Sequence, residues 1–291
     1  MQPTDEGPHT PGPARSWSES WYFDFATAEG VGGYVCLSLR PSARRAWYWA
    51  CLVQPGAGPV VVRDHDVAAP RGSLLEIRAD GLWAECVCET PLDHWSLGLE
   101  AFGVRLDDPL DAFRGELGER LPLGHDLSWE ATVDAFEPAS APCDGRGYVQ
   151  AGNVQGEVLL GRDRIAIDGT GHRAHSWGAS DWRTGGWRWA GISTDDGGAL
   201  SVTALPHDRA YGARWPAAGA PVEIADAHAT DDRLTVDGTS FDIELLGAAP
   251  LSFDTDDGDP GRLWRALYRF RGAASTGVGW LARVMTITEE Q

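Results

Sequence analysis

From Trp17 onward the chain alternates short apolar runs with polar breaks rich in glycine and proline. WYFDFAT, GGYVCLSLR, AWYWACLV, PVVVRD, LLEIRA, LWAECVCE, HWSLGLEAF and GVRLDD follow one another at roughly ten-residue spacing. No stretch sustains a 3.6-residue apolar period. One or two helical turns are predicted only within 107–124, a polar segment with Pro109 and Pro122 near its ends. Strict alternation returns next: Leu127, Trp129, Ala131 and Val133 face one way, Ser128, Glu130, Thr132 and Asp134 the other. Strands resume with YVQAGNVQGEVLLG, RIAIDG, HRAHSW, GWRWAGIST and ALSVTAL, and end with RLWRALYRFRG and VGWLARVMTIT. The pattern predicts an all-β protein built of two tandem antiparallel barrels, each able to enclose a ligand. The composition shift at PASAPCDGRG (138–147) sets the expected boundary, giving an N-terminal barrel over 17–140 and a C-terminal barrel over 141–291. Residues 1–16, MQPTDEGPHTPGPARS, are acidic and proline-rich and are predicted to be a disordered arm.

A two-residue period also assigns faces. Trp47 and Trp49 share one side of a strand, as do Trp187 and Trp189, so each pair forms a double-indole patch. Tyr22 is grouped with these patches as a wall of the same pocket. In WSESWYFDF, Trp17, Glu19, Trp21, Phe23 and Phe25 share a face, with Glu19 as the charged group on an aromatic stripe. The competing reading sets Glu19 in a loop, where it caps backbone or pairs with an Arg. In RLWRALYRFRG, Trp264, Ala266, Tyr268 and Phe270 oppose Arg265, Leu267, Arg269 and Arg271. The arginine face is expected to be solvated; the alternative is a cavity wall that holds a carboxylate or diphosphate.

Composition narrows the partners. The formal charge is −19 and Lys is absent, which argues against nucleic acid and anionic membranes. No run approaches the length of a membrane span, and the first residues carry no apolar leader, so stable membrane insertion is not expected and the cytoplasm is. Five Cys without a CxxC pair are expected to be reduced and buried. Oligomeric state is not encoded in any of these features. Fourteen Trp is the unusual number, and it suits a hydrophobic small-molecule substrate.

The candidate chemistry gathers in GTGHRAHSWGASDWRTGGWRWAG (169–191). Extended geometry puts Arg173, His175 and Trp177 on one face and His172 on the other. A turn or bulge at Gly178–Ser180 would re-aim Asp181 and Trp182. A carboxyl group walled by indoles has its pKa raised by desolvation and can donate a proton near neutrality. Indole faces then stabilise the cation that forms. Asp181, His175 and Glu19 are therefore the catalytic candidates. Trp177, Trp182, Trp187, Trp189, Arg173, Tyr22, Trp47 and Trp49 are the substrate-binding ones. His172, His175, His207 and His228 lack a metal-ligand spacing, and neither a metal nor a cofactor is expected. No GxSxG elbow supports a nucleophilic Ser.

Gly169, Gly171, Arg173, His175, Ser176, Trp177, Gly178, Asp181 and Trp182 form a motif that resembles the signature of a lipocalin-like (calycin) superfamily. That group holds carotenoid 1,2-hydratases, AttH-type proteins and related actinobacterial proteins. WSESWYFDF is similar to its first strand, so the resemblance spans about residues 17–288. It implies two calycin-like barrels and cofactor-free acid chemistry on an isoprenoid double bond. His175 and Trp177 match the His-x-Trp element of the hydratase branch. Three departures stand out: Ala174 and Ser180 replace charged residues, and SVTAL occupies the place of a downstream Tyr-x-Asp. The function expected is proton-initiated cyclisation of a hydrophobic isoprenoid or polyketide-derived substrate. Hydration or isomerisation of a double bond, a pericyclase that folds its substrate, and a non-catalytic carrier are the alternatives.

Overall fold

The computed structural model describes residues 1–72, 74–115, 118–138, 144–179, 186–205, 209–253 and 261–285. Ten strands build the first sheet: β1 (Trp17–Ala26), β2 (Gly32–Arg40), β3 (Arg45–Val53), β4 (Val60–Ala68), β5 (Leu75–Ala79), β6 (Leu82–Thr90), β7 (His94–Leu106), β8 (Gly118–Ala131), β9 (Asp144–Leu160) and β10 (Asp163–Ala179). Their order is β4-β3-β2-β1-β10-β9-β8-β7-β6-β5, every neighbour antiparallel. Val60 and Val61 of β4 also pair with Arg105 and Val104 of β7, which closes the sheet into a barrel and leaves β5 and β6 as a flap beside β7.

The second sheet holds β11 (Arg188–Thr194), β12 (Ala199–Leu205), β13 (Arg209–Trp215), β14 (Val222–Glu223), β15 (Ala227–Ala229), β16 (Arg233–Val236), β17 (Thr239–Ala248), β18 (Leu251–Phe253), β19 (Gly261–Gly272) and β20 (Thr276–Met285). Its order is β14-β13-β12-β11-β20-β19-β17-β16-β15, with β18 on β19. The all-β, two-barrel-like architecture read from periodicity is present. The helical turns expected within 107–124 reduce to a 3-10 turn at Pro109–Phe113, capped by the Asp108 carboxylate on the Leu110 N–H at 3.0 Å. No helix among the described residues is long and apolar enough to cross a membrane.

Two expectations change. The break at 138–147 does not separate the two sheets, because β9 follows it and pairs with β8 while β10 pairs with β1. The change from one sheet to the other falls between Ala179 and Arg188. Composition marks a break in the chain, but hydrogen-bond partners decide which sheet a strand joins. The arm is ordered as well. Pro3–Glu6 forms a 3-10 turn, and Glu6, only 3% exposed, is buried in the mouth of the first barrel. Its low apolar content is offset by an ion pair.

Alternation assigns each strand of the first sheet two jobs. Trp21, Phe23 and Phe25 point into the barrel with Trp95 and Trp129. Full burial of one such indole contributes roughly 4–6 kcal/mol at ~25 cal/mol per Å². The opposite faces of β1–β3 carry Tyr22, Tyr34, Trp47 and Trp49, and these pack on Leu267, Trp280 and Phe253 of the second sheet. Cys36, Cys51 and Cys86 are buried free thiols and Cys88 is a half-buried one; Cys143 lies outside the described residues. Burial pushes the Cys36 thiol up to about 11.

Candidate active site

The motif on β10 does what its period dictates. Arg173, His175 and Trp177 point into the barrel mouth, and His172 and Ala174 point to the other face. The antiparallel register sets Glu19 opposite Trp177, Trp21 opposite His175 and Phe23 opposite Arg173. Gly171 is required by the closeness of β1: a Cβ there would lie 1.9 Å from the Asp24 carbonyl oxygen. Gly178 takes φ +129° yet stays in register with Ser18 and Gly145. Ser180, Asp181 and Trp182 lie outside the described residues.

In the barrel mouth every charge has a partner. Arg173 donates through Nη1 and Nη2 to the Glu6 carboxylate at 2.8 and 2.7 Å. Its Nε and Nη2 donate to Gln150 Oε1 at 2.9 and 2.7 Å, and Nη1 also donates to the Tyr148 hydroxyl at 3.1 Å. Glu6 accepts further from Trp95 Nε1 and from the Leu92 N–H. Burial pushes the Glu6 carboxyl up, but the hydrogen bonds and charge of Arg173 outweigh it and hold it below the usual carboxylate range. Beside this pair, Glu19 Oε1 faces His175 Nε2 at 2.9 Å and His9 Nδ1 at 2.7 Å. The His9 N–H donates to Glu19 Oε2 at 2.9 Å. Trp177 stacks on His9 with centroids 4.0 Å apart, and Trp21 stacks on His175 at 4.4 Å. Burial lowers the His175 pKa against the opposing pull of Glu19. The ligand atoms of His9, Glu19 and His175 lie within 4.8 Å of one another, a donor set able to hold a divalent metal.

The other face of the same strands is different. Asp24, 3% exposed, accepts from the Tyr22 hydroxyl at 2.9 Å and from the His172 backbone N–H at 2.8 Å. Burial raises its pKa to about 7, although both hydrogen bonds and the charge of Arg265 act in the opposite direction. Burial also pulls the His172 ring down to about 4, and its Nε2 has no hydrogen-bond partner. Arg265, on β19, lays its guanidinium over the Tyr22 ring at 4.3 Å and the Tyr34 ring at 5.1 Å. The Tyr34 hydroxyl donates to the Ala249 carbonyl. Trp189 meets Tyr22 edge-on at 5.4 Å and donates from Nε1 to Ser201. Trp47 and Trp49 share this interface with Trp187, their centroids 5.8 Å apart.

The candidates read from sequence thus divide between two places. Glu19, Arg173, His175 and Trp177 meet in the barrel mouth; Tyr22, Trp47, Trp49, Trp187 and Trp189 meet between the sheets. The imidazole and the described indoles expected in a single pocket fall in two places, because side chains one residue apart on β1 and β10 face opposite ways, while Asp181 and Trp182 lie outside the described residues. The solvated arginine face expected on β19 is corrected at Arg265, which turns into the interface. Sequence reasoning missed Glu6, His9 and Asp24. For Asp24 the signal was present: it alternates with Tyr22 on the second face of WYFDF, a carboxyl among aromatics. For Glu6 and His9 no periodic signal exists. A groove of about 630 Å³, lined by Asp93, Thr132, Asp134, Thr170 and Trp215, contributes no imidazole, thiol or guanidinium to its wall among the described residues, and meets the mouth cluster only at Leu92, whose N–H bonds Glu6.

Similar folds occur in solved structures. A Nitrosomonas europaea protein assigned provisionally as AttH superposes with a TM-score of 0.65 at 14% identity, covering 97% of this chain and 95% of that one. Kievitone hydratase from Nectria haematococca superposes at 0.59 with 11% identity, covering 92% and 89%. No curated protein sequence matches this chain. A sequence profile for the family described as a domain of unknown function (DUF7064) matches residues 2–286.

Proposed function

The chain belongs to this DUF7064 family, and since that description assigns no activity, we propose from the site that the protein is a cofactor-free acid catalyst acting on a carbon–carbon double bond of a hydrophobic small molecule. The observation that carries the reading is Asp24: a buried carboxyl with a pKa near 7, hydrogen-bonded to Tyr22 in an aromatic interface. A carboxyl so tuned is protonated in about half of the molecules at neutral pH and can act as a general acid.

The protonated Asp24 passes its proton to the Tyr22 oxygen as the Tyr22 hydroxyl proton moves to an alkene carbon. A C–H bond forms, the π bond is lost, and a carbocation remains beside the Asp24 carboxylate. Arg265 covers one face each of Tyr22 and Tyr34, and the Trp189 indole beside Tyr22 is the aromatic group offered to that charge. In cyclisation a second double bond attacks the cation, and loss of a proton back to Asp24 restores the acid and gives an isomer of the substrate. In hydration a water oxygen attacks and gives up its proton to Asp24. The hydratase among the similar folds supports this class of chemistry. The burial of Asp24, beside the aromatic cluster that holds Tyr22, favours ring closure, because water must be kept from the cation. The aromatic and aliphatic composition of the interface matches the chemistry of an isoprenoid or polyketide-derived polyene. His175 and Glu19 line the opposite face and take no part in this scheme.

The test is product analysis with a panel of polyenes in heavy water. Deuterium in the product, lost in Asp24→Asn and kept in Asp181→Asn, is the expected result. Cyclised product without deuterium would identify a pericyclase, bound but unchanged polyene a carrier, and loss only in Asp181→Asn would move the acid to Asp181.

A further inference from the structure

Arg265 poses a problem that the acid chemistry does not answer. Its Nε and Nη1 are buried without a hydrogen-bond partner, and among the described residues no carboxylate forms an ion pair with it. Asp24 is near enough for its charge to be felt, but both of its oxygens are already engaged, by Tyr22 and by the His172 N–H. The Tyr34 hydroxyl is also committed elsewhere. Two aromatic faces flank the guanidinium, and each such contact is worth roughly 0.5–2 kcal/mol. Taking an arginine out of water costs several kcal/mol, and more when its N–H groups go unmet. The two rings orient the cation without meeting its N–H groups, which leaves Nε and Nη1 as buried donors facing the interface.

We infer that Arg265 is the headgroup site of the same interface, and that the natural ligand is an apolar carboxylic acid. The guanidinium fork matches a carboxylate in shape, and one cation balances one negative charge. A diphosphate carries more charge than this single guanidinium balances. Around the fork, Trp49, Trp280 and Leu267 supply the apolar wall for the remainder of the molecule. The inference rests on the proposed acid chemistry only in taking the interface as the binding site; it defines the ligand by its charge, not by its reaction.

The experiment is isothermal titration at pH 7 with farnesoic acid, its methyl ester and farnesyl diphosphate, against the full chain and its variants. The acid is expected to bind at least about tenfold more tightly than the ester. Arg265→Met should abolish that preference by weakening the acid alone, and Arg265→Lys should keep part of it. Unchanged ester binding by Arg265→Met shows that its fold is intact. Equal affinity of acid and ester in the unmodified chain, absence of binding by all three, tighter binding of the diphosphate, or a preference that survives Arg265→Met each overturn the inference. Asp24→Asn separates the two readings, since it should bind the acid normally while deuterium incorporation stops. If Arg265→Met keeps the preference and Asp24→Asn still stops incorporation, the headgroup site fails and the acid chemistry stands. If Arg265→Met loses the preference and Asp24→Asn still incorporates deuterium, the acid chemistry fails and the headgroup site stands.

Discussion

Among the described residues Arg173 is buried and Arg265 is half-buried with its Nε and Nη1 out of solvent, and the two are opposites. Arg173, in the barrel mouth, commits all five of its N–H groups to Glu6, Gln150 and Tyr148. Arg265, between the sheets, has two nitrogens buried with no hydrogen bond. Burial alone therefore does not distinguish a structural cation from a functional one; what distinguishes them is whether the fold supplies the counterion. In the mouth the chain brings its own carboxylate on the N-terminal arm, and the cluster is closed. At the interface the charge is left for something else to meet. The acids differ in the same way: the Arg173 pair keeps Glu6 ionised, whereas burial holds Asp24 near 7, where a proton can be given and regained.

The sharpest way to break the comparison is one substitution at both positions. Arg173→Met leaves Glu6 buried without its cation and should cost about 3–5 kcal/mol of stability by denaturant titration. Arg265→Met removes a half-buried charge whose Nε and Nη1 have no hydrogen bond, and should leave stability unchanged or higher. Equal losses would show that Arg265 is structural after all.

Asp24 gives the next largest effect. Its pKa is raised from 3.8 to about 7, so the folded state binds this proton more tightly than the unfolded chain. That contribution is fully present below pH 3.8, declines as pH rises and is gone above about 7, a change of about 4 kcal/mol. Asp24→Asn should flatten this part of the stability profile between pH 5 and pH 8, and turnover by the unmodified chain should fall as pH passes 7. An unchanged profile in the variant would remove Asp24 as the titrating group.

On the mouth side, His9→Ala deletes a side-chain hydrogen bond to buried Glu19 and should cost about 1–2 kcal/mol. Amide exchange should quicken over residues 2–16 and stay unchanged in β19 and β20. At the interface, Trp189→Phe loses the bond to Ser201 while keeping an aromatic edge on Tyr22, and should lower the melting temperature by an amount equivalent to about 1 kcal/mol.

Much of the fold was legible because the two-residue period is a local property. It gave strands in the right places, set Arg173, His175 and Trp177 on one face, and paired Trp47 with Trp49 and Trp187 with Trp189. It also picked out Glu19 on its aromatic stripe, and Glu19 does meet His175. It could not tell that His175 and the indoles of β3 and β11 face different sites, because a face read from sequence has no address until sheets close and stack. The break at 138–147 misled for a related reason: a change of composition is visible locally, but the hydrogen bonds that bind β9 and β10 into the first sheet come from strands far away in sequence.

The sequence by itself determined the strands, their two faces and the aromatic stock of each face, since these follow from alternation along a few consecutive residues. Only the tertiary structure decided which buried charges are answered. Glu6 reaches Arg173 across 167 positions, and Arg265 reaches the rings of Tyr22 and Tyr34 across the two sheets. Electrostatic compensation depends on distance in space and on exclusion of water, and neither is written in neighbouring residues.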